Sequence, residues 1–142
     1  MKQQYMSFSP EQTRQIAEIF ATPLPPGAVV ALHGEMGAGK TCFVQGMART
    51  LGISELVNSP TFTLINEYIA ARPLYHVDLY RIGSEREALD LGLEDYFQSS
   101  GITAIEWPER IAPILKSTPH WQVHIRPGKT PDERIIEWVN PT

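Results

Sequence analysis

Ala28-Val29-Val30-Ala31-Leu32-His33-Gly34-Glu35-Met36-Gly37-Ala38-Gly39-Lys40-Thr41 decides the reading of this chain. The run from Ala28 to Leu32 is apolar on both alternating faces, as a strand covered by helices on both sides requires, and it is expected at the centre of the sheet. A glycine-rich turn follows. From Thr41 to Leu51 the pattern becomes helical, with Phe43, Met47 and Leu51 on one face and Gly52 as the stop.

The turn itself, Gly34 to Thr41, is a complete G-x-x-x-x-G-K-[ST] segment. A phosphate group must approach bare backbone amides, so glycines at 34, 37 and 39 permit dihedral angles and contacts that side chains would obstruct. The helix after the turn points its unpaired N–H groups and positive dipole end at the same anion. Lys40 then reaches the β and γ phosphates, and the Thr41 hydroxyl is placed for Mg²⁺. A random match in a chain this long is on the order of 1% from residue frequencies, and its position between strand and helix lowers that further. The segment reads as a phosphate-binding P-loop, and Glu35, Met36, Gly37, Ala38, Gly39, Lys40, Thr41 and Cys42 are the expected nucleotide-binding residues. The side chains of His33 and Cys42 read as packing or strand-end groups.

Outward from this core, Ser9-Pro10-Glu11-Gln12 supplies an N-cap serine, a proline at the first helical position and a glutamine at the third. The expected helix runs from Pro10 to Ala21 and buries Ile16, Ile19 and Phe20. Strands are expected over Thr61 to Ile69, Tyr75 to Tyr80 and Ile102 to Ile105, with a capped helix from Ser84 to Leu91 and a helical turn at Glu94 to Phe97. Pro108 starts a helix to Leu115. Trp121 to Ile125 and Arg134 to Val139 form a closing antiparallel hairpin around Pro127-Gly128. The expected architecture is α/β: one P-loop NTPase domain over residues 1–142, with a mixed, mainly parallel sheet flanked by helices and a C-terminal antiparallel hairpin.

Composition bounds the function. The 142 residues suit one domain; 42% hydrophobic and 20% charged residues match a globular chain. The net charge of −4 gives no general attraction to a polyanion, so any nucleic acid would be met locally or through a partner. Cys42 is the single cysteine, which excludes an internal disulfide and suits a reducing compartment. The opening MKQQYMSFSPEQ has no apolar signal-like region and no run approaches a membrane span, so a cytoplasmic location is expected.

A P-loop needs an acid at the end of a neighbouring strand. Glu106 ends the apolar run Ile102-Thr103-Ala104-Ile105, the pattern of an acid delivered to the carboxyl edge of a buried strand. Asp78, in Tyr75-His76-Val77-Asp78, is the weaker candidate by pattern. Lys40, Asp78 and Glu106 are thus the catalytic candidates, and Thr41 and Glu106 the metal candidates. Trp107 either gates the site or is simply packed, and Arg81 either meets phosphate or forms a surface ion pair.

The chain resembles the TsaE (YjeE) family of small bacterial P-loop ATPases. The resemblance is carried by GEMGAGKT at 34–41, SPTFTL at 59–64, Asn66-Glu67-Tyr68, HVDLYR at 76–81 and IEWPER at 105–110, in the family's order. Family members often have Asp-Leu where this chain has Glu35-Met36. The resemblance implies a part in forming threonylcarbamoyladenosine next to the anticodon of tRNAs reading codons that start with A. It implies ATP and Mg²⁺ as cofactors, and TsaD and TsaB as protein partners. Glu106 would join the metal site, Asp78 would serve hydrolysis, and Ser59, Pro60, Thr61, Phe62 and Thr63 would form a switch-like loop near the γ-phosphate. Thr13 matches a family position near the nucleotide. A small-molecule kinase would share the P-loop but needs an arginine-bearing lid, and no insertion of that character separates the strands. No Asn-Lys-x-Asp guanine-recognition signature occurs. A non-enzymatic nucleotide-binding scaffold would require Asp78 and Glu106 to be silent.

Overall fold

The computed structural model describes residues 2–35, 37–55, 57–60 and 63–141. Seven strands form one sheet: β1 (Lys2–Ser7), β2 (Val29–His33), β3 (Ile65–Tyr68), β4 (Leu74–Asp78), β5 (Ile102–Glu106), β6 (Trp121–Pro127) and β7 (Arg134–Val139). Their spatial order is β1-β7-β6-β2-β5-β4-β3, so β2 is central as its two-sided apolar pattern requires. The centre, β6-β2-β5-β4, is parallel, while β1-β7, β6-β7 and β3-β4 are antiparallel. The sheet is therefore parallel only in its middle rather than mainly parallel, because hairpins extend it on both sides.

Helices α1 (Pro10–Ala21) and α2 (Lys40–Thr50) cover one face, where Phe20, Phe43 and Met47 pack on Val30, Leu32 and Val123. The other face carries α3 (Glu85–Asp90), α4 (Leu93–Phe97), a 3-10 turn (Pro108–Ile111) and α5 (Ala112–Lys116), with Ala88, Leu93, Ile111 and Leu115 on Val29, Ala31, Val77 and Ile105. The expected helix from Pro108 to Leu115 is thus a 3-10 turn followed by a short α-helix. Caps act where the sequence placed them: Ser9 Oγ accepts from the Gln12 amide and Ser84 Oγ from the Glu87 amide.

Three further expectations are corrected. Ile19 is exposed; the buried stripe of α1 is Thr13, Ile16, Ala17, Phe20 and Ala21, and Ile19 points roughly 130° from its centre at 100° per residue. The small residues lie inward because α2 approaches closely: a Cβ on Gly46 would lie 2.2 Å from Arg14 O and 2.7 Å from Ala17 Cβ. β1 was not expected at all, since Lys-Gln-Gln-Tyr-Met-Ser lacks an apolar alternation. It is held at the edge by antiparallel pairing with β7, by Tyr5 stacked on Trp138 at 4.9 Å and by the Lys2–Glu137 ion pair. Finally, the strand expected from Thr61 begins at Ile65: Thr63 and Leu64 form a turn, with Leu64 at φ 69°, and Thr61 and Phe62 lie outside the described residues.

Candidate functional site

At the carboxyl ends of β2, β4 and β5, a cavity of about 410 Å³ is lined by Gly37, Gly39, Lys40, Thr41, Cys42, Ser59, Asp78, Tyr80, Glu106 and Trp107. Local backbone choices build its floor. Gly37 and Gly39 sit at φ 82° and 108°, a region costly for side-chain-bearing residues, and Gly39 is the N-cap of α2 without a side-chain cap. The first amides of α2 are therefore available at the cavity. Gly34 is needed for a different reason: a Cβ there would come within 2.7 Å of Ile125 O. From the far hairpin, Arg134 Nε donates to Ala38 O at 3.0 Å and Nη2 to Gly37 O at 3.4 Å, tying the loop to the start of β7.

Parallel pairing brings the acids together. Asp78 and Glu106 are direct partners in the β4–β5 register, and Leu32 is opposite Glu106 across β2–β5. Two strand ends distant in sequence thus deliver two carboxylates to one place, both buried. Lys40 Nζ lies 3.7 Å from Glu106 Oε1 and 4.5 Å from the centre of the Trp107 ring, so the ammonium is held between a carboxylate and an aromatic face. Glu106 Oε2 is 2.6 Å from His76 Nε2. Asp78 Oδ1 accepts from the Tyr80 amide at 2.9 Å.

Trp107 adopts φ 60° and ψ 50°, an uncommon conformation for a bulky side chain. That turn swings the indole back over Lys40 and against Tyr80, ring centres 4.9 Å apart, and starts the 3-10 turn with Pro108. Arg110 donates to Tyr80 O at 3.3 Å. On the other wall, Ser59 lines the cavity, the Pro60 carbonyl accepts from the Leu64 amide at 2.7 Å, and the Leu64 carbonyl accepts from the Asp78 amide at 2.8 Å. Thr63 Oγ1 donates to Asn66 Oδ1 at 2.7 Å.

The structure therefore gathers Gly37, Gly39, Lys40, Thr41, Cys42, Ser59, Asp78, Glu106 and Trp107 on one cavity. Ala38 is buried below the loop, and Glu35 faces a separate hollow beside His33, Gly34, Trp107 and Glu109. Thr13 does not line the cavity; it is buried in α1 with its Oγ1 2.7 Å from Ser7 Oγ. Met36, Thr61 and Phe62 lie outside the described residues. His76 and Tyr80 were missed as site residues. The i, i+2 spacing of His76 and Asp78 on one strand was the legible signal for the first; nothing local marked Tyr80.

His33, at the end of β2, stacks on His124 of β6 with ring centres 4.4 Å apart. Burial, then the neighbouring His124 ring, lowers the His33 pKa to about 4, and burial lowers that of His124 too.

The donors facing the cavity are oxygens of Thr41, Asp78 and Glu106, a hard set that suits Mg²⁺. Among the described residues no group of three or more His, Cys, Asp or Glu forms a metal cage. One or two protein oxygens completed by phosphate and water is the usual way Mg²⁺ is held beside a nucleotide. Nor is any described helix long and apolar enough to cross a membrane.

Comparison with known proteins agrees with this architecture. The family model described as threonylcarbamoyl adenosine biosynthesis protein TsaE matches residues 7–136. The tRNA threonylcarbamoyladenosine biosynthesis protein TsaE of Bacillus subtilis is 48% identical over 141 residues, 98% of this chain and 87% of that protein. The protein of the same name from Treponema pallidum is 42% identical over 110 residues, 78% of this chain and 82% of its own length. The crystal structure of Bacillus subtilis YdiB aligns with a TM-score of 0.84 at 34% identity, covering 100% of this chain and 87% of that one. With the match spanning both the glycine loop and the two strand-end acids, the chain belongs to the TsaE family of threonylcarbamoyl adenosine biosynthesis proteins.

Proposed function

We propose that the chain is a P-loop NTPase, one ATPase domain over residues 1–142. It hydrolyses ATP with Mg²⁺ as an accessory to threonylcarbamoylation of the adenosine next to the anticodon. The observation that carries this reading is the convergence of Lys40, Asp78 and Glu106 on one cavity floored by the glycine loop. The amides from Gly37 to Cys42 would cradle the phosphates, and Lys40 would offset charge on the β and γ groups. Thr41 and Glu106 would hold Mg²⁺, which would supply positive charge to offset that of the phosphates. Asp78 orients the attacking water and accepts its hydrogen bond, with its own carboxylate steadied by the Tyr80 amide.

Lys40 is engaged by Glu106 and Trp107, so taking up phosphate requires the lysine to exchange a carboxylate for it. Trp107 covers the lysine and gates that exchange. The Ser59–Thr63 loop acts as the switch, with the Pro60–Leu64–Asp78 main-chain bonds as its connection to the hydrolytic acid. The chain turns over slowly alone; TsaB and TsaD complete the site, and tRNA is met only through that complex, in keeping with the chain's acidic charge. The setting is the cytoplasm.

The test is Mg²⁺-dependent phosphate release from ATP by the protein alone, then with TsaB, TsaD and tRNA. Strong stimulation by the assembled complex is expected. Brisk partner-free transfer of phosphate to a small metabolite would make the chain a kinase instead.

A further inference from the structure

The roles above use one oxygen of Glu106 and leave its other contact unassigned. His76 lies in the middle of β4, wholly buried, two residues before Asp78 and on the same sheet face. Its Nε2 is 2.6 Å from Glu106 Oε2, while its Nδ1 is buried without a hydrogen-bond partner. A carboxylate only accepts, so the ring carries its proton on Nε2 and donates it to Oε2. Leaving the second nitrogen unsatisfied in the core costs stability. An aliphatic residue fills the equivalent position two residues earlier: Leu74 shares this face and is also fully buried. What the histidine adds over a leucine is the bond to Glu106. With Oε2 taken, Oε1 is the oxygen presented to Lys40 and the cavity, at 3.7 Å from Nζ.

We propose that His76 is a positioning residue that fixes the Glu106 carboxylate for Mg²⁺ by donating Nε2–H to Oε2, so that Oε1 stays directed at the cavity. The proposal rests on the MgATP reading of the site. It places His76 behind the ligand rather than on the nucleotide, the relation in which loss of the outer partner typically weakens metal affinity about 10- to 100-fold.

Two substitutions separate the donor from the bulk of the ring. His76→Phe keeps a planar ring and removes the N–H; His76→Gln keeps an N–H near the Nε2 position. ATP binding is followed by tryptophan fluorescence, Trp107 being on the cavity wall, across a series of Mg²⁺ concentrations and in chelator. Thermal melts run alongside. His76→Phe is expected to raise the Mg²⁺ concentration giving half-maximal enhancement about tenfold or more, while metal-free ATP affinity stays within about threefold. His76→Gln should recover most of the Mg²⁺ dependence. Should His76→Phe not fold, His76→Leu removes the same donor and replaces it in the comparison. An unchanged Mg²⁺ dependence in the donor-less variant overturns the proposal, and so does His76→Gln performing no better than His76→Phe when both melt cooperatively. If the unsubstituted protein binds ATP with no Mg²⁺ dependence, the MgATP reading itself fails and this proposal falls with it, a result distinct from the other two.

Discussion

Glu106→Gln should make metal-free ATP bind more tightly, although it removes a residue of the site. The Lys40 ammonium faces Glu106 Oε1 at 3.7 Å, and both side chains are only 6% exposed. At an effective dielectric near 20 the gross attraction is about 4 kcal/mol. Burial of both charges offsets much of it, so the net worth falls between the ~0–1 kcal/mol of exposed pairs and the ~3–5 kcal/mol lost when a buried pair is broken. Glutamine keeps the shape and can still accept from His76 Nε2, but it leaves Lys40 with the Trp107 face alone and removes a negative charge from beside the incoming phosphates. Releasing about 1–2 kcal/mol corresponds to roughly 5- to 30-fold tighter binding in chelator. With Mg²⁺ present the advantage should vanish or reverse, since an oxygen ligand of negative charge is gone. Titration calorimetry of ATP into both proteins, with chelator and then with Mg²⁺, reads both signs. Metal-free affinity in Glu106→Gln equal to or weaker than the parent's would refute the view that Lys40 must leave Glu106 to take phosphate.

Gly46→Ala should destabilise the fold by about 1–3 kcal/mol, against the ~1 kcal/mol that alanine usually gains over glycine in a helix, because the new methyl meets the Arg14 backbone at 2.2 Å; a thermal melt lowered by a few degrees checks it, and a raised one contradicts it. Arg134→Gln should weaken ATP binding roughly three- to tenfold at nearly unchanged stability, since the guanidinium holds the Gly37 and Ala38 carbonyls and so preorganises the loop; equal affinity would detach the hairpin from the site. His33 has its pKa lowered in the fold from 6.5 to about 4, so the unfolded chain takes up a proton the folded one refuses, and this group's contribution is complete above pH 6.5 and declines as pH falls toward 4. Denaturant midpoints across that window should drop with acid and drop less in His33→Phe; identical pH profiles would contradict the assignment.

Local chemistry made much of this legible in the sequence. The capped start of α1, the two-sided apolar β2, the glycine loop and the acid ending β5 each depend on neighbours within a few residues, and each was found where those neighbours placed it. What was missed depends on partners far away in the chain. β1 is a strand because β7 offers it a ladder and Trp138 a ring to stack on, neither of which Lys2 to Ser7 can signal. Asp78 looked the weaker acid until the β4–β5 register set it opposite Glu106. The i, i+3, i+4 spacing places Ile19 beside Ile16 and Phe20, whereas the close approach of Gly46 selects Ala17 for the buried stripe and Ile19 is exposed. Trp107 in a left-handed conformation is the least legible feature, because tertiary contacts with Lys40 and Tyr80 sustain a backbone choice that a bulky residue disfavours.

On the proposed reading, the glycine loop and Lys40 hold the phosphates of ATP. Titration calorimetry of ATP with Mg²⁺ into the unsubstituted protein and Lys40→Ala, with circular dichroism to confirm that both are folded, tests it most directly. Saturable one-to-one binding to the parent is expected, with a loss of at least tenfold, about 1.4 kcal/mol or more, in a variant that keeps its fold. Equal affinity of the two folded proteins for ATP would contradict it.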